Sequence, residues 1–176
     1  MNSFNVINGS CVEQNVDVIV NAANRMLMSG GGICGAIFRS AGYIELNNAC
    51  KQYKVPLNDG DAVITPAFNI KNAQYIIHAV GPNFRNTPNA FEELYKAYYN
   101  SLIVMKEKDL HSIAFPLISS GIFGGNLDNP VLESTKQCKK AYDKFLERFP
   151  NYKIKVFLCA YTKEEYDVSL KYIEKE

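Results

Sequence analysis

The chain has 176 residues, 47% of them hydrophobic, and a formal net charge of +1. That length suits one domain, residues 1–176, with a sizeable core, and near-neutrality gives no electrostatic reason to expect a nucleic-acid or membrane partner. Five cysteines without CxxC spacing and only two histidines suggest neither a disulfide framework nor a metal centre. No cofactor is expected. The N-terminus, Met1-Asn2-Ser3-Phe4, has no basic region followed by an apolar stretch, and no apolar run reaches membrane length, so a cytoplasmic location is expected; a monomer is expected as well.

In chain order, short apolar runs alternate with helical periodicity, the pattern of an α/β layer fold. A first strand is predicted over 4–7, and Gly9-Ser10-Cys11 turns the chain into a near-continuous apolar strand over 16–20, which suits burial on both faces. Helices follow over 35–39 and 43–53, then strands over 61–65 and 75–80. Thr87 and Pro88 read as the N-cap and first-turn proline of an amphipathic helix over 89–108, with Phe91, Leu94, Tyr95, Tyr98, Leu102 and Met105 on one face. A buried strand over 112–118 comes next. Asn129 and Pro130 open a helix with Val131, Thr135, Cys138, Tyr142, Phe145 and Phe149 inward, which Pro150 stops. The last strand covers 154–161. Thr162 and Glu165 form a capping box for a terminal helix with Tyr166, Leu170 and Ile173 inward.

Two glycine-bearing loops stand out. Gly30, Gly31 and Gly32 leave backbone N–H groups uncovered by side chains immediately before a helix N-terminus, which makes an anion site, most simply for phosphate. Gly30-x-Gly32-x-x-Gly35 also matches the dinucleotide fingerprint of NAD(P)-dependent dehydrogenases. That fingerprint, however, starts directly after its strand and needs an acidic residue about 20 positions on. Here residues 21–29 intervene. The second loop, Ser119-Ser120-Gly121-Ile122-Phe123-Gly124-Gly125, also follows a buried strand and precedes a helix. Two such loops closing on one ligand would suit more than one phosphate. The absence of Gly-Lys-Ser/Thr removes support for a P-loop NTPase.

Four blocks occur in order: Val18-Ile19-Val20-Asn21-Ala22-Ala23-Asn24, Gly30-Gly31-Gly32-Ile33-Cys34-Gly35-Ala36-Ile37, Ile77-His78-Ala79-Val80-Gly81-Pro82 and Pro116-Leu117-Ile118-Ser119-Ser120-Gly121-Ile122-Phe123-Gly124. Together they resemble the macrodomain family, which binds ADP-ribose. The resemblance implies a three-layer α/β/α sandwich around a mixed, roughly six-stranded sheet. It implies that Asn24, beside Ala22, holds the distal ribose, with a loop-shaping role as the competing reading, and that Asn21 braces the loop. Gly31, Gly32, Ile33 and Cys34 would contact the diphosphate on one side, and Ser119, Ser120, Gly121, Ile122, Phe123 and Gly124 on the other. Phe123 would lie beside the distal ribose and Tyr161 beside the adenine; for both, packing at the core is the competing reading. His78 reads as a hydrogen-bonded core histidine.

Two positions depart from the family pattern. Ser10, followed by Cys11, stands where an aspartate commonly accepts a hydrogen bond from the adenine amino group; an uncharged hydroxyl accepts less strongly. Cys34 stands where the branch most often linked to hydrolysis has an aspartate. A helix N-terminus lowers a thiol pKa, but a bound diphosphate disfavours the thiolate at the same spot. Gly-x-Cys here is similar to certain viral macrodomains. The resemblance therefore implies a hydrolase that removes ADP-ribose from mono-ADP-ribosylated proteins or deacetylates O-acetyl-ADP-ribose, with Asn24, Gly31 and Cys34 as candidate catalytic positions. The alternative is a non-catalytic module that binds ADP-ribose or an ADP-ribosylated protein.

Overall fold

The computed structural model describes residues 1–175. Six strands, β1 (Ser3–Asn8), β2 (Val18–Ala23), β3 (Ala62–Pro66), β4 (Tyr75–Val80), β5 (Ser112–Pro116) and β6 (Lys155–Ala160), form one sheet in the order β1-β6-β5-β2-β4-β3. All neighbours pair parallel except β3, which runs antiparallel to β4 at the edge.

Five helices cover the sheet: α1 (Gly32–Ala41), α2 (Tyr43–Cys50), α3 (Phe91–Glu107), α4 (Pro130–Arg148) and α5 (Lys163–Glu174). Alternation along β2 divides the core in two, because successive strand side chains point to opposite faces. Val18 and Val20 join Leu94, Tyr98, Leu102, Cys138 and Phe145 under α3 and α4. Ile19 joins Ile37, Phe38 and Leu46 under α1 and α2. The result is the three-layer α/β/α sandwich with a mixed sheet. No helix among the described residues is long and apolar enough to cross a membrane.

Most local signals are realised. Asn129 Oδ1 accepts from the Leu132 N–H at 3.2 Å with Pro130 in the first turn, and Thr162 and Glu165 exchange capping-box hydrogen bonds of 3.1 and 2.9 Å. The Thr87-Pro88 cap is not realised. Asn89 adopts a left-handed φ of 64°, which interrupts the helix, so α3 starts at Phe91 behind Ala90. In α5 the fully buried residue is Ser169, which hydrogen-bonds Thr135 of α4 at 2.8 Å, while Tyr166, Leu170 and Ile173 are half-buried. The strand over 112–118 ends early, at Pro116, which has no N–H for the ladder.

β2 runs three residues past the expected end, because its parallel register with β4 continues through Asn21–His78, Ala22–Ala79 and Ala23–Val80. Asn21 is therefore a strand residue, and its side chain both braces the sheet and meets the Cys34 thiol at the head of α1. Its Nδ2 donates to His78 Nδ1 at 3.0 Å, so the neutral ring carries its proton on Nε2 and donates to Thr65 Oγ1 at 2.9 Å. Burial lowers the His78 pKa to about 4. Unfolding raises it to about 6.5, so below that pH the unfolded chain binds a proton that the folded chain refuses, and stability falls as the pH drops towards 4. Urea denaturation at pH 7 and pH 5 is expected to show a loss about 2 kcal/mol larger for the wild type than for His78→Gln. Equal losses in the two proteins would refute this account of the imidazole.

Candidate functional site

The five strands that run parallel send their following loops to one edge of the sheet, the edge where open α/β sheets hold ligands. A cavity of about 850 Å³ opens there. Each strand contributes to its wall: Gly9, Ser10 and Cys11 from β1, Ala22 and Asn24 from β2, Gly81 from β4, residues 119–123 from β5, and Tyr161 from β6. The convergence follows from the strand order alone, since these segments are far apart in sequence.

The loop between β2 and α1 is shaped by Asn24 and Leu27. Asn24 Oδ1 accepts from the N–H groups of Met26 and Met28 at 3.2 and 3.0 Å, and Nδ2 donates to the Met28 carbonyl at 2.8 Å. Leu27 anchors the loop in the core at 3% exposure with a φ of 54°. Gly35 allows α1 to press against the loop: a Cβ there would lie 2.5 Å from the Gly30 carbonyl oxygen. Gly31 caps α1, and the N–H groups of Gly32, Ile33 and Cys34 head the helix. The helix itself supplies them no acceptor, and its dipole places partial positive charge there.

The second loop turns at Ser119, whose φ is 58°. Its hydroxyl donates to the Pro82 carbonyl at 2.7 Å, and the Ser120 hydroxyl donates to the Leu117 carbonyl at 2.8 Å. Both hydroxyls are thus occupied within the protein, which leaves backbone amides as the donors offered to a ligand. Gly81 abuts Ile118 Cγ2 and Ser119 Oγ so closely that any side chain there would displace the loop. The Phe84 N–H ties the far end to the Phe123 carbonyl at 2.8 Å.

The residues expected to contact the ligand line this cavity with one exception. Gly124 lies buried behind the loop, where a Cβ would meet Pro130 Cβ at 2.7 Å, so its smallness serves packing rather than a ligand. Phe123 belongs to neither core cluster and borders the cavity. Tyr161 is 77% exposed, which excludes packing at the core as its role. Ser10 Oγ accepts from the Val12 N–H at 3.2 Å and faces the cavity with its remaining hydrogen-bonding capacity.

Cys34 lines the cavity but packs its thiol into the core beneath it, at 6% exposure, with Sγ directed at the Met28 carbonyl 3.6 Å away. Burial pushes the thiol pKa up despite the Gly30 backbone contact. Desolvation outweighs the lowering that a helix end by itself produces, which leaves the thiol protonated and packed in the core. Cys11 is likewise buried with its pKa raised by desolvation, so it offers backbone alone.

Arg39, Thr162 and Glu165 also line the cavity and escaped the sequence reading. Helical spacing from Gly32 through Ala36 would have brought Arg39 to the same face. Glu165 was legible only as a cap, and its Oε1 does accept the Thr162 N–H.

A cavity at the carboxyl edge of a parallel sheet, walled by two amide-rich loops and a helix N-terminus, defines a class of proteins that bind phosphate-bearing nucleotides. The dehydrogenase version of that class is excluded by topology. The strand after α1 and α2 is β3, which runs antiparallel, so the βαβ unit required by the dinucleotide fingerprint is missing. Residues 20–131 match the Macro domain family, and the chain belongs to it.

Among its relatives, the O-acetyl-ADP-ribose deacetylase of Salmonella typhimurium is 39% identical over 158 residues, covering 88% of this chain and 85% of that protein. Among solved structures, the Oceanobacillus iheyensis macrodomain with ADP superposes with a TM-score of 0.85 at 35% identity, covering 97% of this chain and 92% of that one. The Trypanosoma brucei macrodomain in complex with ADP-ribose gives a TM-score of 0.84 at 29% identity, covering 97% and 68%.

Proposed function

We propose that this chain binds ADP-ribose and hydrolyses its esters, releasing ADP-ribose from mono-ADP-ribosylated acidic side chains or acetate from O-acetyl-ADP-ribose. The observation that carries this reading is the convergence of the two amide-rich loops on one cavity of about 850 Å³. A diphosphate clamped between those loops leaves one arm of the ligand beside Ser10 and Tyr161 and the other beside Asn24 and Phe123. The Salmonella relative named as a deacetylase supports an ester as substrate.

In the protein-directed reaction, a water oxygen bonds to the anomeric carbon of the distal ribose. The bond from that carbon to the carboxyl oxygen breaks, the carboxylate departs with the electron pair, and the proton that the water loses passes to the ligand's phosphate. With the Cys34 thiol buried and protonated, the ligand's own phosphate and loop carbonyls hold the water. Positioning of this kind can supply on the order of 7–11 kcal/mol in favourable cases, and the backbone donors stabilise charge around the diphosphate. The second reading, a binding module without turnover, is favoured by the cysteine at position 34, where the branch most often linked to hydrolysis has an aspartate.

Calorimetry with ADP-ribose is expected to give micromolar-range binding, about −8 kcal/mol, and no binding at millimolar ligand would dispose of both readings. Incubation with a mono-ADP-ribosylated protein separates them, since a label that persists at stoichiometric enzyme leaves the module alone. In that assay Cys34→Ala is expected to retain most of the activity. Complete loss would reinstate the thiol as a catalytic group.

A further inference from the structure

A second cavity, of about 580 Å³, adjoins the first, and Asn24, Gly81 and Phe123 line both. We infer that it receives the polypeptide to which ADP-ribose is attached, so that Arg25, Asn83, Asn86 and Thr87 make the site selective for ADP-ribosylated protein over small ADP-ribose esters. This rests on the ADP-ribose reading above and assigns the part of the substrate that lies beyond the sugar.

Continuity decides the route. A sugar seated beside Asn24 and Phe123 lies at the junction, so a group attached to it passes directly from one cavity into the other. Size decides what kind of group fits. The second cavity falls within the roughly 300–1,000 Å³ range of sites that hold whole ligands, and an acetyl group would fill only a small corner of it.

Charge narrows the occupant further. Arg25 donates from Nε and Nη2 to the two Asp59 carboxylate oxygens, each at 2.9 Å. The cation in the wall is therefore already neutralised. A second sugar nucleotide would bring a diphosphate next to Asp59 without a free positive charge to receive it, whereas a polypeptide brings carbonyl groups that need donors.

Donors are what the wall supplies. Asn83 Oδ1 is occupied by the Arg85 N–H at 3.1 Å, which leaves its Nδ2 to donate. Asn86 and Thr87 are exposed on the turn that leads to α3. The Asp59 contact uses Nε and Nη2 and leaves Arg25 Nη1 for a ligand. At the rim, Met26 and Met28 are 49% and 60% exposed. Such unbranched, polarizable side chains adapt to partners of varied shape, as a protein acting on many modified sequences requires.

The test compares free ADP-ribose with a peptide carrying ADP-ribose on a glutamate through a hydrolysis-resistant linkage, both measured by calorimetry. The peptide conjugate is expected to bind roughly tenfold more tightly than the free ligand. Thr87→Trp, which plugs the second cavity from an exposed position, is expected to abolish that gain while leaving the affinity for free ADP-ribose within about twofold. Asn86→Ala is expected to reduce the gain in part, and it serves if the tryptophan variant fails to fold. Equal affinity of the wild type for both ligands overturns the inference. So does a parallel loss for both ligands in Thr87→Trp, or a gain with a dimeric ADP-ribose but none with the peptide. Failure of free ADP-ribose to bind at all is seen before any peptide is added, and it removes the ligand reading together with this inference.

Discussion

Replacing Asn24 with alanine is expected to lower turnover of a mono-ADP-ribosylated protein about a hundredfold, the scale of loss that follows when reacting groups shift by about an ångström. The reason lies in where the side chain is engaged. Its oxygen accepts two backbone N–H groups and its nitrogen donates to a carbonyl, all between residues 24 and 28. Those contacts hold the segment that leads into Gly30, Gly31 and Gly32. Each contributes on the order of 1 kcal/mol, so their joint loss frees the loop that faces the ligand. Binding of free ADP-ribose should weaken less than turnover, because the loop on the opposite wall stays in place. Single-turnover rates and calorimetry on the same variant check both statements. An Asn24→Ala protein that keeps half its activity would show that the loop's geometry is set elsewhere.

Gly35→Ala is expected to weaken ADP-ribose binding by at least about tenfold and to lower the melting temperature. The added Cβ would lie 2.5 Å from the Gly30 backbone oxygen. Backbone cannot swing aside as a flexible side chain does, so either α1 moves away from the loop or the loop moves into the cavity. Overpacking of this kind costs about 1–3 kcal/mol. Gly31→Ala is the stability control. Its φ and ψ of −86° and −174° are open to any residue and nothing lies within 4 Å of a Cβ there, so its melting temperature should match the wild type. A Gly35→Ala protein with unchanged melting temperature and affinity would mean that the contact between helix and loop is soft.

Much of this molecule was readable before any coordinates. The Thr162–Glu165 box, the Asn129 cap with Pro130, the apolar stripe of α3 and that of α4 from Cys138 to Phe149 depend on neighbours within a turn or two and are realised, whereas Val131 stays outside the core. The two glycine loops announced themselves by composition, and the family resemblance joined them into one site. Thr87-Pro88 misled because an equally local feature, the left-handed backbone at Asn89, lies between that pair and the helix it was read as opening.

What the chain alone determined, then, is which segments become strands, helices and amide-rich loops, since those choices follow from side-chain periodicity and backbone preference over a few residues. What only the tertiary structure decided is how distant segments meet. β2 continues through Asn21 because His78, 57 positions away, supplies a partner across the sheet. The Cys34 thiol faces the core because α1 lies over β2, and the same packing raises the pKa that a helix end by itself lowers. Arg39 and Glu165 border the cavity, and Arg25 stands over Asp59 beside a second one, because the strand order brings their elements to a common edge. Local sequence carries no record of that order, which is settled by burying both faces of the sheet at once.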